Sequence, residues 1–221
     1  MSEAFTTLPK TGYTRNTPRS FVLNAGAVIK NLVWSGGQWR GERLGATSGG
    51  NSLTLTQEIE QIEVDGVFGG ARGLDIITES EASLTCNVIE LTAENIRTAI
   101  RGRSFASNGT NYPTGYTVIE PKGQIEDSDY LQNIAYVGSV AGSDRPIIVI
   151  LHNAICTSGL ELENTDGEKG TVEMVFEGRV DAENVENQAL PVTILYPTLN
   201  ITAAAAQIQV NALKGATPNG N

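Results

Sequence analysis

Between Leu74 and Val88 the sequence keeps a two-residue rhythm. Leu74, Ile76, Ala82, Leu84, Cys86 and Val88 stand at even positions, while Asp75, Glu79, Glu81, Ser83, Thr85 and Asn87 stand at odd ones. Side chains of a strand alternate between its faces, so this is a strand with one dry face and one wet face. Continuous from 74 to 89, it spans roughly 50 Å at ~3.3 Å per residue. Ordinary globular strands are shorter, so part of it is expected to project from the domain that carries it. A chain of 221 residues with 40% hydrophobic content has the material for a sizeable core within one all-β unit.

The neighbouring segments agree with a mainly β fold. Phe21 to Trp34 reads as a first strand, and the glycine-rich "SGGQWRGERLGATSGG" after it as loop or hairpin. Next, Leu53, Leu55 and Ile59 share odd parity, whereas Ile62 and Val64 share even parity. The apolar face therefore changes sides near Glu60-Gln61, through a β-bulge or a bend into a second sheet. Asp65-Gly66 and "GGARG" mark a flexible loop.

After the long strand, "LTAENIRTAIRGR" changes period. Leu91, Asn95-Ile96 and Ala99-Ile100 recur at i, i+4 to i+5 and i+8 to i+9, Thr92 suits the N-cap, Glu94 the positive helix end, and Arg101-Gly102 the stop. A helix of two to three turns is marginal alone and must be held by packing on a sheet. Short strands are expected at 116–120 and 134–140. "PIIVILHNAIC" from Pro146 is apolar at successive positions, as in a central strand covered on both faces. A last hairpin follows, with Val172, Met174, Phe176 and Val180 alternating against Glu173, Glu177 and Arg179 around the turn "TDGEKG". Val192, Ile194 and Tyr196 make a final strand.

Residues 1–20 lack periodicity and read as an extended N-terminal arm, ordered only if something holds it. Residues 21–197 read as a single β domain, and 198–221, with four consecutive alanines and "KGATPNGN", as a weakly ordered tail.

Charge and cysteine content narrow the function classes. Twenty-five acidic against 15 basic residues give a formal charge of −10, which disfavours an ordinary grip on nucleic acid. Cys86, Cys156 and one histidine supply neither a disulfide framework nor four ligands of a structural zinc site. "FVLNAGAVIKNLVW" follows a polar lead and is interrupted by Asn24, Lys30 and Asn31, unlike a signal peptide. No run approaches the ~20 apolar residues of a membrane span.

Several residues invite a chemical reading. The glycines of 45–50 and 66–73 lack a Walker-type Gly-Lys-Ser/Thr and do not lie between a strand and a helix, so they read as turn glycines. His152 sits alone in an apolar run and reads as a satisfied core residue. Glu58, Glu60, Glu63 and Asp65 could pair as acid and base, but carboxylates at alternating strand positions are usually the wet face. Cys86 belongs to a dry face, without a cationic neighbour in sequence to activate it. The Asn-x-Thr triplets at Asn108 and Asn200 have no role without a secretory route.

"RLGATSGG" before an alternating strand, then "IEVDGVFGGARG", a long strand and "LTAENIRTAI", in that order over residues ~20 to 105, resembles the major tail proteins that form the tail tube of long-tailed bacteriophages. Beyond residue 105 the resemblance is to a general layout of paired strands. The family's "DGVxGxxxG" loop tends to carry a proline or a lysine, where this chain has Phe68, Gly69 and Gly70.

The resemblance implies a β-sandwich or barrel of two packed antiparallel sheets flanked by one short α-helix, with a long projecting loop and extended terminal arms. It also implies homo-hexameric rings, joined edge to edge and stacked into a hollow conduit for genomic DNA within the virion's tail. The ring-stacking loop would be Asp65, Gly66, Val67, Phe68, Gly69, Gly70, Ala71, Arg72 and Gly73. Asp75, Glu79 and Glu81 would face the lumen and repel passing DNA. The implied partners are further copies of the chain, tape-measure and tail-tip or terminator proteins, and DNA in transit without sequence-specific binding. No membrane anchor, enzyme activity, catalytic residue, metal or cofactor is expected. A tube subunit of a contractile tail, a tailocin or a secretion-system ring would share this layout. A carbohydrate-binding β-sandwich with Trp34 and Trp39 as its aromatic platform is a further alternative, and a hydrolase, for which no nucleophile, base and orienter set is evident, is another.

Overall fold

The computed structural model describes residues 11–14, 17–162, 170–181 and 190–198. Most of the N-terminal arm expected over 1–20, nearly all of the tail over 198–221 and nearly all of the "TDGEKG" turn lie outside the described residues. Among those described, the strands are β1 (Val22–Ser35), β2 (Gln38–Arg43), β3 (Thr47–Gln61), β4 (Asp75–Val88), β5 (Arg103–Ala106), β6 (Thr117–Glu120), β7 (Leu131–Val140), β8 (Ile147–Cys156), β9 (Val172–Glu177) and β10 (Val192–Leu195), with one α-helix, α1 (Ala93–Ile100). The main sheet runs β2-β1-β7-β8-β9-β4-β3 with β10 alongside β8, and β5 and β6 pair apart. The fold is the mainly β, antiparallel sandwich class that the alternation demanded.

Two compact units divide the chain, one of residues 1–24, 138–147 and 196–221, the other of residues 25–137 and 148–195. In the smaller unit a 3-10 turn covers Thr17–Ser20, and Ala141 N donates to Phe21 O at 2.9 Å.

The larger unit is organised by β8, whose residues are buried on both faces as successive apolar positions require. Leu151 to Ile148 pair with Val192 to Leu195 of β10, while Ile155 and Cys156 pair with Glu177 and Phe176 of β9. The strand changes partner at Asn153, which takes a left-handed φ of 46°, a conformation asparagine tolerates better than most residues. On β9, Val172, Met174 and Phe176 are buried and alternate with half-exposed or exposed residues. Phe176 stands opposite Leu84 on one side and Cys156 on the other, and all three are closed to solvent. Burying a side chain of this kind is worth about 1.5–3 kcal/mol, which makes this row the main local source of stability. Val180, expected to continue it, is instead exposed.

A second apolar cluster joins Leu32, Ala135, Ile148 and Ile150, with Ile29 and Val137 packed against it. Its geometry depends on an irregularity in β1, where the register with β2 slips between Lys30 and Val33 and Asn31 adopts φ 52°. Side-chain amides take over the interrupted ladder. Leu32 N donates to Asn133 Oδ1 at 2.7 Å, Asn133 Nδ2 donates to Leu32 O at 3.1 Å, and Gln132 N donates to Asn31 Oδ1 at 3.0 Å. Buried backbone groups must find partners, and here asparagines at 31 and 133 supply them. Nearby, Gly26 has φ 74°, and a Cβ on it would stand 2.5 Å from the Tyr136 ring, so no other residue fits there without displacing β7.

The helix begins and ends where the capping signals put it. Thr92 Oγ1 accepts from Asn95 N at 3.1 Å, and Gly102 N donates to Arg97 O at 2.9 Å. The left-handed C-cap is Arg101 (φ 52°), whose guanidinium donates to Cys156 O at 2.5 Å. Of the expected face, Asn95 and Ala99 are buried together with Thr98, Ile96 and Ile100 are half-buried, and Leu91 is exposed. Asn95 anchors that face, because its Nδ2 donates to Leu44 O at 2.7 Å and Glu90 O at 2.9 Å and so fastens the helix to the chain beside the sheet. Asn95→Ala would leave the buried Leu44 carbonyl and the part-buried Glu90 carbonyl short of a donor, at about 1–3 kcal/mol. The expected result in chemical denaturation is a lower midpoint with an unchanged slope; an unshifted midpoint would remove Asn95 from the supports of the helix.

Candidate assembly surface

The long strand and its partner form the most distinctive surface of the larger unit. β3 and β4 pair antiparallel along their length, and their distal halves leave the core together. From Thr54 to Gln61 and from Asp75 to Glu79 the residues are exposed whichever way they point. Only Ala82, Leu84, Cys86 and Val88 of β4 are buried, so the dry face stops at Ala82, and Ile76, expected on it, is exposed. Eight residues of two-stranded arm reach about 25 Å at ~3.3 Å per residue. The projecting strand read from the sequence is therefore present as a hairpin arm.

The register corrects the expected change of phase. β3 keeps one phase from Asn51 to its end at Gln61, so that Ile62 and Val64 lie beyond the strand, and the irregularity lies between Glu58 and Ile59: Glu58 stands opposite Glu79 and Ile59 opposite Ile77. Thr78 is the extra residue, on β4 rather than β3. A one-residue insertion moves every later side chain of its strand to the other face. The odd-numbered acids consequently part company. Glu79, opposite Glu58, and Glu81, opposite Thr56, share a face with Glu60, which stands opposite Ile76. Asp75, opposite Gln61, falls on the other face, in line with Ile59 and Ile77. The sequence signal for this was the adjacent apolar pair Ile76-Ile77, which a strict alternation does not allow.

The arm is thus two-sided. One face gathers Glu58, Glu60, Glu79 and Glu81, with Glu58 and Glu79 directly opposed, a like-charge pairing that disfavours the isolated hairpin. The other face extends the row of half-buried Leu53 and buried Leu84 and Ala82 outward through Leu55, Ile59 and Ile77, all three exposed, Ile59 at 68%. Residues 57–81 hold seven carboxylates against one arginine, Arg72.

At the tip, Ile62 N donates to Leu74 O at 2.8 Å and closes the neck of the loop that the sequence singled out. Gly66, Gly69 and Gly73 take positive φ of 86°, 88° and 96°, conformations that other residues adopt only under strain. Of Asp65 to Gly73, every residue but Ala71 is exposed, and Phe68 is bare, at 101%.

Other residues considered for chemistry are accounted for locally. Burial, with a lesser contribution from Cys156, pushes the Cys86 thiol up to about 12, and Cys156 is raised by burial as well. A His152 ring nitrogen lies 2.9 Å from Thr193 Oγ1. A groove of about 730 Å³ is lined by Arg97, Arg103 and Lys122 among others, but each cation is committed: Arg97 to Glu94 at 2.6 Å, Arg103 to Glu120 at 2.7 Å, and Lys122 to Glu126 at 2.9 Å and Asp129 at 2.7 Å. Trp34 and Trp39 are paired across the β1–β2 hairpin with ring centroids 5.0 Å apart and planes tilted by 60°, both exposed.

No protein-family model and no curated protein matches the chain. A solved structure described as the virion of a native gene transfer agent (GTA) particle contains a chain similar to this one at 10% identity and a TM-score of 0.38, over 77% of this chain and 96% of that one. A likeness at that level leaves the function to be argued from the chain's own residues.

Proposed function

We propose that this chain is a structural subunit of a bacteriophage tail tube, which assembles as stacked hexameric rings into a hollow conduit for the genome. The observation that carries the reading is the β3–β4 arm. A two-stranded ribbon exposed on both faces gains little stability in water by itself, and this one extends an apolar row that belongs to the core. A second copy covering Leu55, Ile59 and Ile77 supplies the missing burial. Among the described residues the main sheet also ends in two open edges, β2 and β3. Pairing them between neighbours removes the aggregation hazard of a free edge and generates a ring when the rotation closes.

In such a ring the acidic face of the arm turns to the lumen. Glu79 and Glu81, joined by Glu58 and Glu60, repeat around the bore and repel the phosphate backbone, so DNA passes without adhering. Asp75 belongs to the contact face instead. The subunit is a scaffold without catalytic residues or a bound cofactor; it works in the virion after synthesis in the host cytoplasm, with tape-measure and terminator proteins as its other partners. The same arm serves a tube inside a contractile sheath equally well.

Electron microscopy of the purified protein across a range of concentrations, with and without tail tips as initiator, tests the reading. Hollow tubes or six-fold rings are expected from the wild type. Deletion of residues 66–73 is expected to leave a folded, soluble subunit that forms no tubes; tubes from the deletion variant would show that the loop does not stack the rings.

A further inference from the structure

The loop at the tip of the arm presents a bare aromatic ring and two carboxylates, and a matching surface exists elsewhere on the same chain. The β1–β2 hairpin turns at Gly36-Gly37, where a Cβ on either glycine would meet nothing within 4 Å, and every residue of β2 is exposed. Beside the turn, Trp34 and Trp39 form a tilted, open aromatic pair, 57% and 42% exposed. Farther along the same strand Arg43 shares the face of Trp39, whereas Arg40, opposite Val33, lies on the other face; neither forms an ion pair among the described residues. The tip of the arm carries the complement: Phe68 fully exposed, with Glu63 and Asp65 shortly before it, also without ion pairs among the described residues.

We propose that the tip loop of one copy docks on the tryptophan hairpin of a second copy, with Phe68 against the Trp34–Trp39 pair and Glu63 and Asp65 towards Arg43 on the same face. The inference rests on the tube reading and names the surface that receives the loop. Tilted indole rings accept a third ring edge to face, the arrangement aromatic clusters prefer. Tryptophan and arginine are also the residue types that dominate protein contacts when desolvated. Opposite charges on loop and hairpin select a second copy of this chain over an uncharged ligand. The two surfaces differ, so each docking leaves a free loop on one copy and a free hairpin on the other, and growth is open-ended.

The chain has two tryptophans, both in this surface, so intrinsic fluorescence reports on it directly. Assembly followed by light scattering should be accompanied by a shift of tryptophan emission to shorter wavelength and loss of most acrylamide quenching. Phe68→Ser should raise the concentration needed for assembly by at least about tenfold, Arg43→Glu should prevent assembly, and Arg40→Glu, on the other face of the hairpin, should leave it as in the wild type. Adding Glu63→Lys and Asp65→Lys to the reversed Arg43→Glu chain should restore it. All five positions are exposed, and circular dichroism checks that each variant is folded; should the reversed chain not fold, the wild-type fluorescence still decides. Wild-type tubes with unchanged tryptophan emission and quenching overturn the docking and leave the tube reading standing, as does a folded Arg43→Glu chain that assembles like the wild type or is not restored. A wild type that stays monomeric at every concentration, with tail tips added, overturns both.

Discussion

Threonine at both Ile59 and Ile77 is expected to leave the melting temperature of the subunit within about 2 °C of the wild type and to raise the concentration needed for polymerisation about a hundredfold or more. The two side chains stand opposite each other on the arm and are 68% and 42% exposed in the isolated chain. Threonine keeps the branched β-carbon that suits a strand, so the hairpin persists. Exposed substitutions of this kind change folding stability by about 0.5 kcal/mol or less, equivalent to about 2 °C for a protein of this size. In the assembly the balance reverses. Covering an isoleucine is worth about 1.5–3 kcal/mol, so two of them contribute about 3 kcal/mol or more to each contact, and every ~1.4 kcal/mol is a factor of ten. Calorimetry of the subunit and light scattering over a concentration series separate the effects. A variant that polymerises like the wild type would mean that this face of the arm stays in water in the tube.

Phe176→Ala should act in the opposite sense, on the subunit rather than on its assembly. The ring is wholly buried on β9 between Leu84 of β4 and Cys156 of β8. Truncating a buried phenylalanine costs about 3–5 kcal/mol, because lost transfer energy adds to the cavity left behind. Against a total stability of about 5–15 kcal/mol that is a large fraction. For a chain of this length it corresponds to a fall in melting temperature of roughly 10 °C. Phe176→Leu refills part of the volume and should lose a smaller share. Urea denaturation of both variants measures the difference. A loss below about 1 kcal/mol for the alanine variant would show that β4, β8 and β9 close over the void.

Much of this architecture was readable from residue order, for reasons that are local. Alternation at 82–88 and at 172–176 identifies strands because a period of two is a property of the backbone. The helix limits follow from Thr92 and from Arg101-Gly102, since capping involves residues a turn apart. "PIIVILHNAIC" announced a strand buried on both faces because no polar position interrupts its first half.

Where the reading departed from the structure, the deciding partner was distant in sequence. The apolar face of β3 does not switch at Glu60-Gln61, because the extra residue is Thr78 on the facing strand. That insertion separates Asp75 from Glu79 and Glu81 and brings Glu58 and Glu60 to their side. Likewise Leu91, expected on the packed face of the helix, is exposed, and the polar Asn95 on that face is buried because the carbonyl of Leu44, 51 positions away, is there to be satisfied. The two-residue rhythm between 74 and 88 by itself determined that a strand too long for its domain exists. Only the tertiary structure decided which half of it is clothed and which faces its acids and isoleucines occupy, because faces and burial are set by register between strands, and register is a relation between segments that no single segment encodes.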